Sequence, residues 1–552
     1  MAPPSAVERH VRRLATALAS ALLLFTGCTQ ALSAGLLLAG ADLHVAVLPL
    51  SLAAAIAGLW LLTREWDVPA SPRLWALTIA LLLVVVTLSV AIASAVHDVS
   101  FDGQTYQQEG VLQLARGWNP LWDGPAAVRQ LWPVDHYPKG AWLLGAPLYL
   151  LTGAIESAKA FTLVFIATAW AVTLAACLHL RPGCGVGVAL AVAGLVALNP
   201  VATTQWTGFF VDGQLACLLG TVVACMALAW VNAGRWPLVL LSVALALLMA
   251  TKFTGLVYGV TLASAYAGTM ASRRGFASLL PAARWMTGGL ALGVFVIGAN
   301  PYVTNTLRHG HPLYPLAGPG AIDVMEAQRP AGFDAANPLV RLVRSTFARS
   351  ERVTAPDAPT PKFPLAVAVD EFRSFAVADV RAAGFGPLFA AGLVLAALIW
   401  LGMWRQDAAT AGWTTVVAGG LLLSALINPE AWWARFAPQL WLVPTVVAFG
   451  SAYAHAGPTR WASRVLIGLL VIDAGGIAVV HAQASIGRTR VVRTQMLELA
   501  MLPQPLRVHF GSFYSNRVRL QEYGIRYVDM DQLRCARIEA LAYSQTRVCT
   551  VP

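Results

Sequence analysis

Charged residues are scarce in this sequence: Asp, Glu, Lys and Arg make up 12% of 552 residues, whereas hydrophobic residues make up 57%. Roughly a quarter of the residues in a soluble domain are charged, so the composition excludes an ordinary soluble globular protein. Apolar runs of about 18 or more residues recur, each long enough to cross a bilayer core. The runs are continuous rather than alternating, which excludes a transmembrane β-barrel. The sequence therefore predicts an all-α polytopic membrane protein.

Lysine is especially rare, with only Lys139, Lys159, Lys252 and Lys362 in the whole chain. The formal net charge is +11, but the cations are spread over many short connections. Such dispersed charge is typical of the loops of membrane proteins rather than of a nucleic-acid-binding surface. We therefore expect no nucleic acid partner.

Hydropathy predicts about thirteen transmembrane helices. A further apolar stretch, 141–153, is too short to span and is predicted to be re-entrant or interfacial. The predicted spans lie near 14–38, 44–62, 74–96, 156–180, 185–200, 213–232, 236–250, 254–271, 285–302, 384–403, 412–427, 437–454 and 463–482.

The connections between these spans alternate in charge. One set carries arginine, as at Arg64, Arg181 and Arg235, whereas the short connections "GADLH" and "NPVATTQWTGFFVDGQ" hold no Lys or Arg. Because cytoplasmic loops are enriched in positive charge, the N-terminus is predicted to be cytoplasmic and, after thirteen crossings, the C-terminus extracytoplasmic. The expected location is the bacterial inner (cytoplasmic) membrane.

The predicted topology divides the chain into three parts. Residues 1–72 form an N-terminal pair of transmembrane helices, 73–482 a transmembrane core with outward loops 97–140 and 303–382, and 483–552 a small extracytoplasmic α/β domain. In that domain "LRVHFGS" and "IRYVDM" are typical of strands and "SNRVRLQEYG" of a helix. Cys535 and Cys549 are candidates for a disulfide, because the predicted compartment is oxidising.

The first outward loop opens with "SFDGQTYQQEG", in which Asp102 and Glu109 follow a long uncharged run. A helix over about 103–116 is predicted to be amphipathic and to lie at the membrane interface. Asp102 then has two interpretations: a helix N-cap, a task that Ser100 can share, or a general base that takes a proton from a hydroxyl.

The end of that loop, "DHYPKG", places Lys139 and His136 beside Asp135. A cation at the membrane edge suits the phosphate of a lipid carrier, and the alternative is a lysine that snorkels from a helix end.

Further ionisable residues fall on the same predicted face. An ionisable residue at membrane depth is by default a candidate for function. Two alternate histidines, at 309 and 311, are weak evidence for a metal site, so we favour contacts to phosphate or hydroxyl groups. The candidates from these turns are Asp212, Lys252, His311 and Arg435.

Four motifs together resemble the GT-C superfamily of membrane glycosyltransferases: "SFDGQTYQQ", "HYPKGAWLLGAPLYLLTG", "LALLMATKFTGL", and the pair "GHPLYP" and "WWARFAPQL". The resemblance covers about residues 74–482. It implies that Asp102 is the catalytic acid-base residue and that Lys139, helped by Arg435, contacts the donor phosphate. Tyr106 and Glu109 complete the candidate substrate-binding set.

The resemblance implies an inverting transfer of sugar from a polyprenyl-phosphate donor to an extracytoplasmic hydroxyl of a glycan, lipid or protein, with membrane lipids as neighbours and no cofactor. The chain departs from the family at its start, where the first two spans, 14–38 and 44–62, look like an addition ahead of the catalytic core. It also has no Asp-x-Asp or Glu-x-Asp pair in that loop, so we expect metal independence. The alternatives are a transporter or flippase of lipid-linked glycans and a polysaccharide polymerase or ligase.

Overall fold

The computed structural model describes residues 4–66, 71–126, 132–183, 185–452 and 457–551. Within these ranges the chain is mostly helical, and eight helices are long and apolar enough to cross a membrane. The prediction of a helical membrane protein is thus confirmed in this coarser form. These helices are Ala6–Leu38, Pro72–Ala95, Ile155–Leu180, Asp212–Val231, Phe276–Ile297, Phe389–Gln406, Ala408–Leu426 and Pro458–Ala500.

Eight of the thirteen predicted spans fall on those helices, and the other five fall on helices that are shorter or more polar. At 1.5 Å per residue a helix of 12 residues rises about 18 Å, well short of the roughly 30 Å hydrocarbon core. The count of thirteen crossings is therefore not confirmed. The five helices are Val47–Thr63, Val186–Ala197, Trp236–Thr251, Phe253–Arg274 and Leu442–Ser451; the predicted non-spanning stretch forms Gly140–Thr152.

Two interruptions of the helices lie at the same end of the bundle. The helix that begins at Val186 ends at Ala197, and Asn199 accepts a hydrogen bond from the Ala202 amide to start the short helix Pro200–Gln205. Farther along, Lys252 adopts extended backbone angles between two apolar helices. At both breaks the chain leaves the helical conformation, and polar side chains lie at the helix ends.

The remaining helical segments are all short, and two of them, Ile155–Lys159 and Leu292–Ile297, form the ends of membrane helices named above. Buried apolar side chains such as Leu22, Phe165 and Leu218 fill the main core between the long helices. The segments are the π-helical turns Gly103–Gln107, Leu292–Ile297 and Ala299–Val303, and the helices Gln108–Ala115, Trp132–His136, Ile155–Lys159, Thr304–His309, Glu326–Gln328, Pro338–Thr346, Val369–Arg373, Ser374–Ala376, Ala434–Phe436 and Pro438–Trp441.

The predicted boundary between core and C-terminal domain, at 482–483, lies in the middle of a helix. That helix runs without a break from Pro458 to Ala500, for 43 residues. At 1.5 Å per residue it is about 65 Å long, roughly twice the thickness of a bilayer core. The predicted boundary therefore falls inside one continuous helix, whose last turns, at Val492, Met496 and Leu499, pack into the core of the C-terminal sheet.

The C-terminal domain is a four-stranded sheet with one helix, Asn516–Glu522. The two strands and the helix foreseen in the sequence are present, but two further strands, in the last sixteen residues, were not foreseen. A disulfide joins Cys535 to Cys549, whose Cα atoms are 6.0 Å apart. In sheet order the strands are Tyr527–Asp529, Leu506–His509, Arg547–Val551 and Arg537–Ala540.

The prediction of an amphipathic interfacial helix at 103–116 is wrong. The segment is a π-helical turn followed by an α-helix, and Gln104, Gln107 and Gln108, which were expected to face water, are all buried. The C-terminal domain packs over this segment, and the side-chain amide of Gln104 bonds to it instead of to solvent.

We expect the arginine-rich helix ends to lie in the cytoplasm. Helices Asp212–Val231 and Trp236–Thr251 pack side by side, and an ion pair joins Asp212 to Lys252, so Arg235 lies at the opposite end. Alkaline phosphatase fused behind the C-terminal domain should be active, whereas a fusion at Arg235 should be inactive. The reverse pattern of phosphatase activity would contradict this orientation.

Candidate functional site

A cavity of about 1100 Å³ opens at the end of the bundle where the helices are interrupted. Its walls come from distant parts of the chain: the first loop, both helix breaks, the long loop 303–382, the turn around Arg435, the last long helix and the C-terminal domain. The cavity is thus a product of the tertiary fold rather than of any one motif.

Four charged side chains form an ion network in the cavity. The Arg435 guanidinium lies between two carboxylates, with its Nη2 donating to Asp102 Oδ2 at 2.8 Å and its Nε donating to Asp212 Oδ2 at 2.8 Å. The Lys252 ammonium pairs with the other Asp212 oxygen. The Asp212 side chain is fully buried, whereas that of Asp102 is 20% exposed. Of the two acids in this network, Asp102 is therefore the one that a substrate can reach.

A tight turn directs Asp102 towards Arg435. The Ser100 hydroxyl accepts the Gly103 amide at 3.0 Å, and the Asp102 side chain makes no capping bond. The N-cap interpretation of Asp102 is therefore wrong. Glycine is required at 103, because a Cβ there would lie 1.8 Å from Asp98 Oδ2.

Asp98 is a second acid in the cavity wall, but its oxygens are occupied. They accept the Ser100 amide at 2.9 Å, the Ser100 hydroxyl at 2.9 Å and the Phe209 amide at 3.1 Å. Burial raises the pKa of Asp98. With three donors fixing it and almost no exposure, Asp98 shapes the turn and is poorly placed to take a proton from a substrate.

Aromatic rings form one wall beside the ion network. Tyr137 contacts three of them edge-on, with centroid distances of 5.8 Å to Tyr106, 5.4 Å to Trp132 and 5.9 Å to Phe253. Burial raises the pKa of Tyr106 well above its ordinary value, so this phenol stays neutral. Such a wall offers flat apolar faces to a sugar ring or an isoprenoid chain.

Three predicted residues of the "DHYPKG" motif do not line the cavity. Lys139 is buried, and its ammonium donates to the carbonyls of Asp135 at 2.7 Å and Tyr137 at 2.9 Å. The Asp135 carboxylate accepts the Ala126 amide, and His136 hydrogen-bonds Asn305. These contacts hold the segment that carries Tyr137, so their role in the structure is to support the aromatic wall.

Glu109 and His311 also lie outside the cavity lining. Glu109 is buried and forms a two-pronged ion pair with Arg517, with nitrogen–oxygen distances of 2.5 and 2.8 Å. His311 accepts the Leu313 amide at 3.2 Å. Asp102, Tyr106, Asp212, Lys252 and Arg435 are thus the predicted residues that the fold does bring together.

Arginines that the sequence did not single out also line the cavity, among them Arg488 and Arg381. Arg488, on the last long helix, donates to the Ala376 carbonyl at 2.6 Å and to the Ser485 hydroxyl at 3.2 Å. Arg381 donates to the carbonyl and the side chain of Gln328. No local motif marks either residue; the only signal is that both fall in segments predicted to face outward.

In the five described ranges, no group of three His, Cys, Asp or Glu side chains converges in a way that could hold a metal ion. The carboxylates of Asp102 and Asp212 both pair with the Arg435 guanidinium instead.

Comparison with known proteins does not identify a family for this chain. No protein family matches the chain, and no curated protein does. Among solved structures the chain is similar to ArnT from Cupriavidus metallidurans in the apo state, at 14% identity, over 83% of this chain and 85% of that one, with a TM-score of 0.41. At this level of likeness, activity, donor and acceptor have to be argued from the site itself.

Replacing Asp212 by Asn should destabilise the protein strongly. The change leaves the Lys252 ammonium without its carboxylate in a mostly buried position, and breaking such a pair costs about 3–5 kcal/mol. The matched control is Asp334→Asn, because the exposed pair of Asp334 with Arg329 is worth less than about 1 kcal/mol. Thermal unfolding in detergent measures both; equal unfolding temperatures for the two variants would contradict the assignment.

Proposed function

We propose that the chain is a membrane glycosyltransferase that moves a sugar from a polyprenyl-phosphate donor to an extracytoplasmic acceptor hydroxyl. The observation that carries the proposal is the network of Asp102, Arg435, Asp212 and Lys252 in an aromatic-walled cavity at the ends of membrane helices. This network supplies the two groups that the reaction needs: a base for the hydroxyl and positive charge for the leaving phosphate.

In the proposed step, the acceptor oxygen attacks the anomeric carbon while its proton passes to Asp102. The bond from the anomeric carbon to the donor phosphate breaks, and the lipid phosphate leaves with the electron pair. Attack opposite the leaving group inverts the anomeric configuration. Of the two acids that Arg435 bridges, only Asp102 has an exposed carboxylate, which is why we assign the base to it.

The charge balance of the network favours this order of events. Two carboxylates face two cations, so the network is neutral while Asp102 is ionised. When Asp102 takes the proton, Arg435 and Lys252 face only one carboxylate. Positive charge therefore appears beside the phosphate as that group gains negative charge, which stabilises the transition state more than the ground state.

The donor phosphate is best assigned to Arg435 and Lys252, with Arg488 as a third cation in the same cavity. The ammonium of Lys139, the candidate from the family resemblance, donates hydrogen bonds to two backbone carbonyls. Apolar side chains of the long loop, including Leu316, Ile322 and Met325, line the cavity and suit an isoprenoid chain.

Metal independence remains part of the proposal. A guanidinium that already bridges Asp102 and Asp212 supplies the charge neutralisation for which a divalent cation would otherwise serve. The inner-membrane location and the outward direction of the cavity are likewise proposed, on the loop charges.

The test is an assay of the purified protein in lipid nanodiscs, with cell-envelope extract as the source of acceptor. Radiolabelled polyprenyl-phosphate monosaccharides should transfer label to the extract and release polyprenyl phosphate. Turnover of an oligosaccharide-pyrophosphate lipid alone would instead identify a polymerase or ligase. Movement of label across the bilayer without transfer would identify a flippase.

In this assay Asp102→Asn should lower the rate of transfer by about 10²–10⁴-fold, because removal of a general base has that effect. The matched control is Asp42→Asn, since Asp42 is an exposed acid on a neighbouring loop outside the cavity and its loss should leave the rate unchanged. A fully active Asp102→Asn variant would overturn the assignment of the base.

A further inference from the structure

We propose that the C-terminal domain is a positioning element of the site: through Gln104 and Asn516, it holds the π-helical turn that presents Asp102. The catalytic consequence of this proposal rests on the proposed function, whereas the positioning itself does not.

Gln104, two residues after Asp102, is fully buried, and the C-terminal domain meets all of its polar groups except the backbone amide. Its carbonyl accepts the Ser515 hydroxyl at 2.6 Å. Its side-chain oxygen accepts the Asn516 amide at 3.0 Å, and its side-chain nitrogen donates to the Tyr543 carbonyl at 2.9 Å. Undocking the domain would remove these three hydrogen bonds from a buried residue, so the turn is stabilised by the docked state.

The same helix of the domain holds the first loop on either side of that turn. Downstream, Arg517 forms the buried ion pair with Glu109. Upstream, Arg519 donates to the Asp98 carbonyl at 2.7 Å and to Glu156 at 3.0 Å. Two buried arginines, two residues apart in sequence, thus fix the loop before and after Asp102.

The turn itself explains why outside support is needed. It is π-helical over Gly103–Gln107, a geometry that is rare, occurs as single turns and is frequent at functional sites. The first residue of the turn must be glycine. Glycine also has more conformational freedom than other residues, so the turn is harder to order without contacts from neighbouring elements. The contacts from the C-terminal domain therefore select one conformation of a segment that has little intrinsic preference for it.

The domain also reaches the cavity directly. Phe513 and Tyr543 line it, and Phe513 contacts Phe101, the neighbour of Asp102, with ring centroids 5.5 Å apart. Tyr543 has a φ of +57°, a left-handed conformation that is uncommon for a residue other than glycine. It lies in the connection between the paired strands Arg537–Ala540 and Arg547–Val551.

The experiment compares Asn516→Ala with Gln521→Ala in the intact protein without substrate. Gln521 lies on the same helix but is exposed and bonds only within the domain, to Tyr527. Hydrogen–deuterium exchange of peptides that cover residues 100–110 should increase for Asn516→Ala and stay unchanged for Gln521→Ala. Ser515→Ala, which removes a single hydroxyl, is the second variant if Asn516→Ala fails to fold, and it should increase exchange in the same peptides.

In the transfer assay, Asn516→Ala should lower kcat by roughly 10–100-fold with little change in the donor KM, because a misplaced catalytic group costs rate rather than binding. Combining Gln104→Asn with Asn516→Gln moves one methylene across the amide pair. The double variant should recover protection and kcat relative to either single change.

Unchanged exchange of residues 100–110 in a folded Asn516→Ala or Ser515→Ala protein would overturn the proposal, whatever its activity. Raised exchange with unchanged kcat would overturn the catalytic consequence. Raised exchange together with no transfer by the wild-type protein would instead refute the proposed function and leave the positioning intact.

Discussion

The bridge that Arg435 makes between Asp102 and Asp212 is the interaction on which the rest of the site depends. It joins the first loop, the start of a membrane helix and a late turn, segments that are 333 and 223 residues from Arg435 in sequence. Burying one charge alone would be costly, so each member requires the others. The bridge therefore fixes where the loops lie and leaves one exposed carboxylate beside two cations, which is the arrangement that a sugar transfer from a lipid phosphate needs.

Interrupted helices make this arrangement possible in a membrane protein. Non-helical backbone and charged side chains are tolerated at membrane depth only where they are buried in protein or line a polar cavity. The breaks at Asn199 and Lys252 bring such groups to one end of the bundle, and the loops around 132–139 and 303–325 complete the apolar side of the same cavity. The C-terminal domain then closes over the first loop, so that catalysis and domain docking share the same contacts.

Sequence reasoning found Asp102, Asp212, Lys252 and Arg435 because an ionisable residue next to long apolar runs stands out. It could not separate them from Glu109, since the partner of Glu109 is Arg517, 408 residues away. It ended the last span near 482 because hydropathy falls there, although the helix continues to Ala500. The last two strands are only four and five residues long, which is too short for a clear alternation pattern.

The most direct test of the central claim is a structure of the Asp102→Asn protein with a polyprenyl-phosphate monosaccharide bound. The account predicts that the phosphate lies within hydrogen-bond distance of Arg435 or Lys252, with the anomeric carbon facing residue 102. A phosphate bound at Lys139, or at the arginine-rich ends of the helices, would contradict it.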